Sequence, residues 1–525
     1  MTTTAEDIAG RLAERPDAIA LVECRKGASR TTRRAELVRH CRRIAQNLRD
    51  AGVRPGHKVV VMTRDAHDLT AVSYALVLLG AVPVLIEPRA EVGRCLQDIT
   101  PDVFIGEPLA HLGRRALGWG RPHVRIALVT GSAPLPVGRR LVTRTPAGGT
   151  SLPQVREPDG DEPALIAFTS GSTGRPKGAE YRHSTLAGQL DALMTLIDPR
   201  PDDVLLAGFL PVALLGPLLG LTTVAPAVNH LAPARTTPKE IVGPLREHRA
   251  SIVLASPAVL TLIARHCARR GIPLPSVRQI LSFGAPLRTG LADALRKAVP
   301  DDAEILSVYG ATECLPVSAI GDHDLRASRA APPAGHAGTC LGRPLPGIRA
   351  RILDADATGL GEIAVTGPTV SPAYHARPDA DANTKSDTDH GVLHRTGDLG
   401  RLDDEGRLWF LGRKAHLITG TGFTLTTEDI EAAADTAPGI RRTALVGAGT
   451  AVCQLPVLCV EPLPSTPRAS ALEAVRAVLK DHPDGHRVGA VLIRTALPTD
   501  PRHNSKIDRM RLAGWAAKRL RGRDR

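Results

Sequence analysis

Apolar residues in the first half of the chain fall in short continuous runs, separated by turn residues and by stretches with helical spacing. Between Gly52 and Pro88, a turn at Arg54-Pro55-Gly56 leads into an apolar strand at 58–62. A helical stretch at 65–80 and a second apolar strand at 81–86 follow. This is a strand–helix–strand rhythm, and runs that are apolar throughout suit parallel strands covered on both faces. Similar runs at 103–105, 126–129, 165–168, 251–254 and 279–283 predict a large N-terminal α/β portion. After about residue 345 the texture changes to short strands and turns, at 349–353, 361–366 and 407–411. The last part holds a helix candidate at 427–435, a strand at 442–447 and another helix at 469–480. No internal repeat is present, and the Pro/Gly/Arg-rich stretches near 114–123 and 327–347 read as loops.

One segment could be mistaken for a membrane span, because residues 204–234 carry no Asp, Glu, Lys or Arg. Pro211, Pro217, Pro226 and Pro233, with Gly208, Gly216 and Gly220, would break a continuous helix there, so buried helix and loop are expected instead.

A length of 525 residues exceeds one ordinary core and predicts at least two domains. Aromatic residues make up only 2%, so any large apolar pocket must be lined by aliphatic side chains, which suits an aliphatic ligand. The net charge of +13 raises nucleic acid as a partner, but the arginines are dispersed and no aromatic-basic interleaving appears, so nucleic acid is set aside. The basic tail 518–525 reads as a solvated end, with peripheral contact to a lipid surface as the alternative. The eight cysteines form no CxxC pair, which argues against structural zinc. Together with a first segment that lacks a basic-then-apolar leader, they predict a cytoplasmic location.

The richest chemistry lies at 165–183. An apolar run leads into Thr169, Ser170, Gly171, Ser172, Thr173, Gly174, Arg175, Pro176, Lys177 and Gly178, which together supply four hydroxyls, two cations and permissive glycines. Backbone N–H groups in such a loop can close around phosphate oxygens. It is not the GxxxxGK[ST] phosphate loop, since Gly178 follows Lys177. Three more motifs follow in order: Ser307-Val308-Tyr309-Gly310-Ala311-Thr312-Glu313; His394 to Gly400 with Trp409 to Lys414; and Asn504-Ser505-Lys506-Ile507-Asp508-Arg509.

These four segments resemble the signatures of the acyl-adenylating superfamily, which joins acyl-CoA synthetases, peptide synthetase adenylation domains and luciferases. The resemblance implies an α/β fold. It would have a large N-terminal domain, 1–413, of parallel α/β subdomains plus a small β-rich subdomain, and a small mobile α+β lid, 414–525, carrying a catalytic lysine. It implies ATP and Mg²⁺ as cofactors. Lys506 would bridge the carboxylate and the α-phosphate. Thr312 would touch the α-phosphate and Glu313 would ligate Mg²⁺. Tyr309 beside Gly310 would stack on adenine, with Gly284, Ala285 and Pro286 as the other wall. Asp398 and Arg413 would hold the ribose. His183 would act in positioning or in catalysis. From the residues alone, Cys314 reads as packing and Glu431 as helix-surface charge.

The acceptor of the activated acyl group is a separate question. In acyl-CoA synthetases an Asp or Lys hinge sits two residues after Gly-Arg, whereas here that position is Ala415. The stretches 309–317, 412–416 and 502–507 look more like the β-lactone synthetases of bacterial olefin and β-lactone pathways. That resemblance implies a long-chain 2-alkyl-3-hydroxy (β-hydroxy) fatty acid as substrate, other enzymes of the same lipid pathway as partners, and residues 204–234 as the lining of an acyl tunnel. A fatty acyl-CoA or acyl-AMP ligase is the alternative.

Overall fold

The computed structural model describes residues 4–25, 28–86, 91–131, 138–143, 158–168, 175–229, 236–330, 338–450, 453–499 and 507–521. The chain forms two compact units. The first comprises Met1–Val317, Leu345–Ile348 and Thr366–His394; the second comprises Ser318–Pro344, Arg349–Val365 and Arg395–Arg525.

The first unit contains two largely parallel sheets. One runs in the spatial order Ala28–Arg33, Ile19–Arg25, Thr222–Ala225, Val204–Ala207, Ile252–Ala255, Gln279–Ser282, Glu304–Ala311. Ile252–Ala255 and Gln279–Ser282 are buried at every position, as strands covered on both faces must be. The charge-free segment supplies two of these strands, Val204–Ala207 and Thr222–Ala225, joined through the 3₁₀ turn Leu210–Leu214 and the one-turn helix Leu215–Leu218. The expectation of helix and loop alone is corrected here. A four-residue apolar run carries no period, and its prolines and glycines confine helix to the connection. No helix among the described residues is long and apolar enough to cross a membrane.

The other sheet of this unit runs Ala373–Tyr374, Gly178–Arg182, Pro163–Phe168, Val82–Leu85, Lys58–Met62, Val103–Gly106, Ile126–Val129, Arg139–Arg140. Pro163–Phe168 and Gly178–Arg182 are antiparallel, with Phe168 opposite Gly178. These two strands flank the hydroxyl- and glycine-rich segment, and Ala373–Tyr374 pairs with the outer side of Gly178–Arg182. A Cβ on Gly178 would lie 3.0 Å from Ile166 and 3.2 Å from Phe168, so the tight pairing needs glycine.

In the second unit, Gly361–Thr366, Gly391–Leu402, Leu408–Arg413 and Thr339–Pro344 contribute neighbouring strands. A separate sheet pairs Ile440–Thr450 with Cys453–Pro462 and Ala490–Ile493. Its side chains alternate between two cores. Leu445, Leu458 and Val460 pack with Ile430, Ala471 and Val475, whereas Ala444, Val446, Val457 and Cys459 pack with Leu512 and Ala516. Helices Glu428–Ala434 and Arg468–Asp481 cover one face, and Arg509–Arg521 covers the other. This sheet and its helices belong to the same compact unit as Ser318–Pro344, to which Glu428 is tied by a 2.7 Å hydrogen bond from Thr339.

Glu431 is not surface charge. It is buried, its two oxygens accept from Arg509 at 2.5 and 2.8 Å, and Oε1 also accepts from Leu445 N at 2.6 Å. It fastens the last helix to the sheet. The pairing spans 78 residues, which hides it from any local reading of the helix.

Candidate active site

The segments expected around adenine stand on adjacent parallel strands of the first unit. Ser282 and Ser307 are Cα partners, and Gly284, Ala285, Pro286 and Tyr309 follow at the C-terminal ends of those strands. Open parallel sheets bind ligands at that edge. Ser307 Oγ accepts from Leu287 N at 3.3 Å, which ties the two ends together. Gly284 has φ +93° and no atom within 4 Å of where a Cβ would stand. Gly310 has the opposite constraint: a Cβ there would meet Leu315 Cδ1 at 2.6 Å and Cys314 O at 2.7 Å.

Thr312 and Glu313 form the turn between strands Glu304–Ala311 and Cys314–Gly321. The Tyr181 hydroxyl, on strand Gly178–Arg182, donates to Thr312 O. Tyr374 Oη donates to Glu313 Oε1 at 2.6 Å. The backbone of Glu313 is held as well, because its carbonyl accepts from Ser371 N at 2.8 Å. Burial opposes the charge on Glu313. The neighbouring His394 ring, the Tyr374 hydroxyl and the Lys385 ammonium outweigh it and hold the carboxyl below the usual carboxylate range. His394 itself is buried, and burial followed by the nearby Lys385 charge pushes it down to about 4, so it is neutral at pH 7. Tyr374 is pushed up by burial and by Glu313 and remains a donor. A single ionised, oriented carboxylate fits a Mg²⁺ ion that arrives bound to phosphates, since Mg²⁺ takes one or two protein carboxylates and fills its octahedron with phosphate oxygens and water.

Lys177, just before strand Gly178–Arg182, has its Nζ 4.8 Å from the Tyr374 ring centre. Thr169, Ser170, Gly171, Ser172, Thr173 and Gly174 lie outside the described residues, as does Lys506. His183 begins helix His183–Ile197 and is buried at 2% exposure. Burial lowers its pKa, with Glu162 partly opposing, and its backbone N–H donates to Glu162 O at 3.2 Å. This placement is that of a neutral packed imidazole. Cys314 is fully buried, in keeping with a packing role.

In the second unit Asp398 and Arg413 are Cα partners across strands Gly391–Leu402 and Leu408–Arg413, with Arg413 Nε 2.9 Å from Asp398 Oδ1. Thr396 Oγ accepts from Asp398 N at 3.1 Å and donates to Ile363 O at 2.8 Å, which fixes the turn. Beside them Glu362 accepts from Arg395 at 2.7 Å, from Lys414 at 3.0 Å and from Gly397 N at 3.2 Å. Ala415 is exposed in the 3₁₀ turn Lys414–His416. Its neighbour His416 is driven down to about 3 by burial and then by the charges of Arg509 and Arg413.

Tyr374, Lys385, His394 and Glu362 carry no assignment from the sequence. Tyr374 and Glu313 are 61 positions apart, and nothing local marks either as the other's partner. Among the described residues, a further group of metal-ligand type, Asp65, His67 and Asp68, has its ligand atoms within 4.8 Å of one another. Its members have structural partners: Asp65 caps helix Ala66–Leu78 and pairs with Arg25, and His67 Nε2 lies 2.8 Å from His40 Nδ1.

Comparison with known proteins places this geometry in context. The family model described as AMP-binding enzyme matches residues 8–375. An olefin beta-lactone synthetase of Xanthomonas campestris pv. campestris is 39% identical, covering 96% of this chain and 95% of its own length. An olefin beta-lactone synthetase of Stenotrophomonas maltophilia is 38% identical, covering 98% and 99%. Among solved structures, the amide bond synthetase McbA from Marinactinospora thermotolerans superposes with a TM-score of 0.80 at 25% identity, covering 98% of this chain and 99% of its own.

Proposed function

The chain belongs to the AMP-binding enzyme family, and on that premise we propose that it activates a long-chain β-hydroxy acid with ATP and closes the product into a β-lactone. The observation that carries this reading is the match, over nearly the whole of both chains, to two olefin beta-lactone synthetases at 38–39% identity.

In the first step a carboxylate oxygen bonds to the α-phosphorus and the bond to the β-phosphate breaks, releasing pyrophosphate. Two anions must approach, so oriented donors and cations are needed at the phosphates. Glu313 would hold Mg²⁺, which supplies charge neutralisation to the triphosphate. Thr312 and Lys506 would face the α-phosphate, Tyr309 and 284–286 the adenine, and Asp398 with Arg413 the ribose. The Tyr374 hydroxyl keeps Glu313 charged and in place. In the second step the β-hydroxyl oxygen bonds to the acyl carbon, the carbon–oxygen bond to AMP breaks, and the hydroxyl proton passes to solvent or a base. An intramolecular nucleophile of this kind reaches an effective concentration on the order of 10⁵ M, lowered by ring strain, so no external thiol is required. Ala415 at the hinge position belongs to the same reading. So do a cytoplasmic location, lipid-surface contact through the basic tail, and supply of substrate by a condensing enzyme and a reductase.

The test is mass spectrometry of the product after incubation with ATP, Mg²⁺ and a 2-alkyl-3-hydroxy fatty acid without coenzyme A. A product lighter than the acid by one water, formed with AMP, is expected. An acyl-adenylate that accumulates and yields thioester only when coenzyme A is added would make the chain a ligase.

A further inference from the structure

Lys385 and His394 are Cα partners across the hairpin of Lys385–Thr388 with the start of strand Gly391–Leu402, so both side chains project from the same face of the ribbon. That face meets Tyr374. The His394 ring stands edge-on to Tyr374 with centroids 6.4 Å apart, and Lys385 Nζ lies 5.2 Å from the same ring. Lys177, just before strand Gly178–Arg182, lies 4.8 Å from that ring. One tyrosine therefore carries two ammonium groups near its ring and donates its hydroxyl to Glu313. Lys385 is also anchored to the segment that fixes Glu313: its Nζ donates to Ser371 O at 2.5 Å, and Ser371 N donates to Glu313 O.

A lysine ammonium has three donors, and among the described residues only the Ser371 carbonyl accepts from this one. Lys385 is half-buried, and withdrawing even part of an ammonium from water is costly unless other groups meet it. Here the available company is the Glu313 carboxylate, suited to Mg²⁺, and a second cation, Lys177, which ends the hydroxyl- and glycine-rich sequence proposed to meet the phosphates. A phosphate-rich anion satisfies all three together, whereas an acyl chain or a hydroxyl satisfies none.

We propose that Lys385 is a pyrophosphate-binding residue of the adenylation half-reaction, held beside Glu313 and Lys177 by its cross-strand pairing with His394 and its bond to the Ser371 carbonyl. It stabilises the β- and γ-phosphates as the bond from the α-phosphorus breaks, and it takes no part in lactone closure. This inference rests on the adenylating function proposed above.

The experiment separates the two half-reactions in the full-length protein, comparing wild type with Lys385→Met and Lys385→Arg. The first is read by exchange of labelled inorganic pyrophosphate into ATP in the presence of the β-hydroxy acid. The second is read by release of AMP and lactone from a chemically prepared acyl-adenylate, which bypasses pyrophosphate. Loss of one charge-assisted hydrogen bond predicts that Lys385→Met lowers exchange by about 10- to 100-fold and weakens inhibition by added pyrophosphate to a similar degree. Lys385→Arg should recover much of both. Turnover of the prepared adenylate should stay within about twofold, since that step sees no pyrophosphate. Unchanged exchange overturns the proposal. So does a parallel fall in both half-reactions, which would place Lys385 in proton transfer from the hydroxyl or in folding alone. A wild-type protein that exchanges pyrophosphate but makes no lactone would sink the functional reading and leave the exchange comparison able to judge Lys385.

Discussion

Asp398 and Arg413 face each other across an antiparallel strand pair, with the guanidinium Nε 2.9 Å from a carboxylate that is almost wholly buried. The arginine holds the carboxylate in one orientation, which the proposed acceptance from ribose hydroxyls would require. Asp398→Ala removes the acceptor and the carboxylate that Arg413 Nε meets at 2.9 Å. The KM for ATP in pyrophosphate exchange should rise by about 10- to 100-fold, the size of one or two hydrogen bonds to a charged group. An unchanged KM would remove Asp398 from the nucleotide site.

Tyr374 holds Glu313 through a single short hydrogen bond, and its loss should be felt by the metal before the acid substrate. Tyr374→Phe keeps the ring against His394 and both lysines but deletes the donor. The Mg²⁺ concentration for half-maximal adenylation should rise about tenfold, with the KM for the acid unchanged. Titration of activity with Mg²⁺ at saturating ATP checks this. An equal shift in both would mean that the hydroxyl supports the fold and not the carboxylate.

Much of the strand framework was legible because parallel strands buried on both faces advertise themselves as apolar runs. The parallel strands at 58–62, 103–105 and 126–129 lie where the apolar runs put them, and those at 349–353 and 361–366 lie where the short strand-and-turn texture does. The pairing of Asp398 with Arg413 and the turn of Thr312 and Glu313 fall within motifs the sequence singles out, because each lies in one antiparallel strand pair or the turn that joins two consecutive strands. What the sequence hides is the support behind them. Tyr374, from a two-residue strand, and Lys385 and His394, from a hairpin beyond it, approach Glu313 from about 60 to 80 residues downstream, and nothing in Ala373-Tyr374 or Thr384-Lys385 distinguishes them from surface residues. Glu431 misleads for the same reason: an acidic helix start is ordinary, and only the fold delivers Arg509 to it.

Glu431 and Arg509 form a buried pair, so removing one partner differs from removing both. Glu431→Gln leaves the guanidinium with a neutral acceptor in a desolvated site and should cost about 3 kcal/mol in urea unfolding. The double change Glu431→Leu with Arg509→Met should recover a large part of that loss, because the cost of withdrawing both charges from water disappears. A single variant within about 0.5 kcal/mol of wild type would mean that the pair contributes nothing to stability.

His416 gives the second unit a pH dependence of defined sign. Its pKa in the folded chain is about 3, below an ordinary value near 6.5. The unfolded chain therefore binds the extra proton between those values, and stability rises with pH through that window and is fully present above about 6.5. After allowance for its partial exposure, wild type should lose about 1 kcal/mol between pH 7 and pH 5 through this group. His416→Asn should flatten that part of the profile in unfolding measured at the two pH values. A loss of the same size in the variant would assign the pH dependence to other groups.

The acyl tunnel proposed for the charge-free segment makes a last demand on Leu214. Thr70 Oγ1 donates to Ala213 O at 3.4 Å and Tyr74 Oη donates to Leu214 O at 2.5 Å, so helix Ala66–Leu78 pins the backbone of this turn. A larger side chain there cannot be absorbed by backbone retreat and must take its volume from whatever space lies beside it. Leu214→Trp should therefore shift the preferred acid toward shorter chains. Each methylene that loses its place costs about 0.8 kcal/mol, close to a fourfold fall in kcat/KM. Measured across a series of β-hydroxy acids, the profile should move as a whole, with the shortest acids nearly unaffected. A uniform fall at every length would place Leu214 in folding, and an unchanged profile would place the tunnel along another face of the sheet.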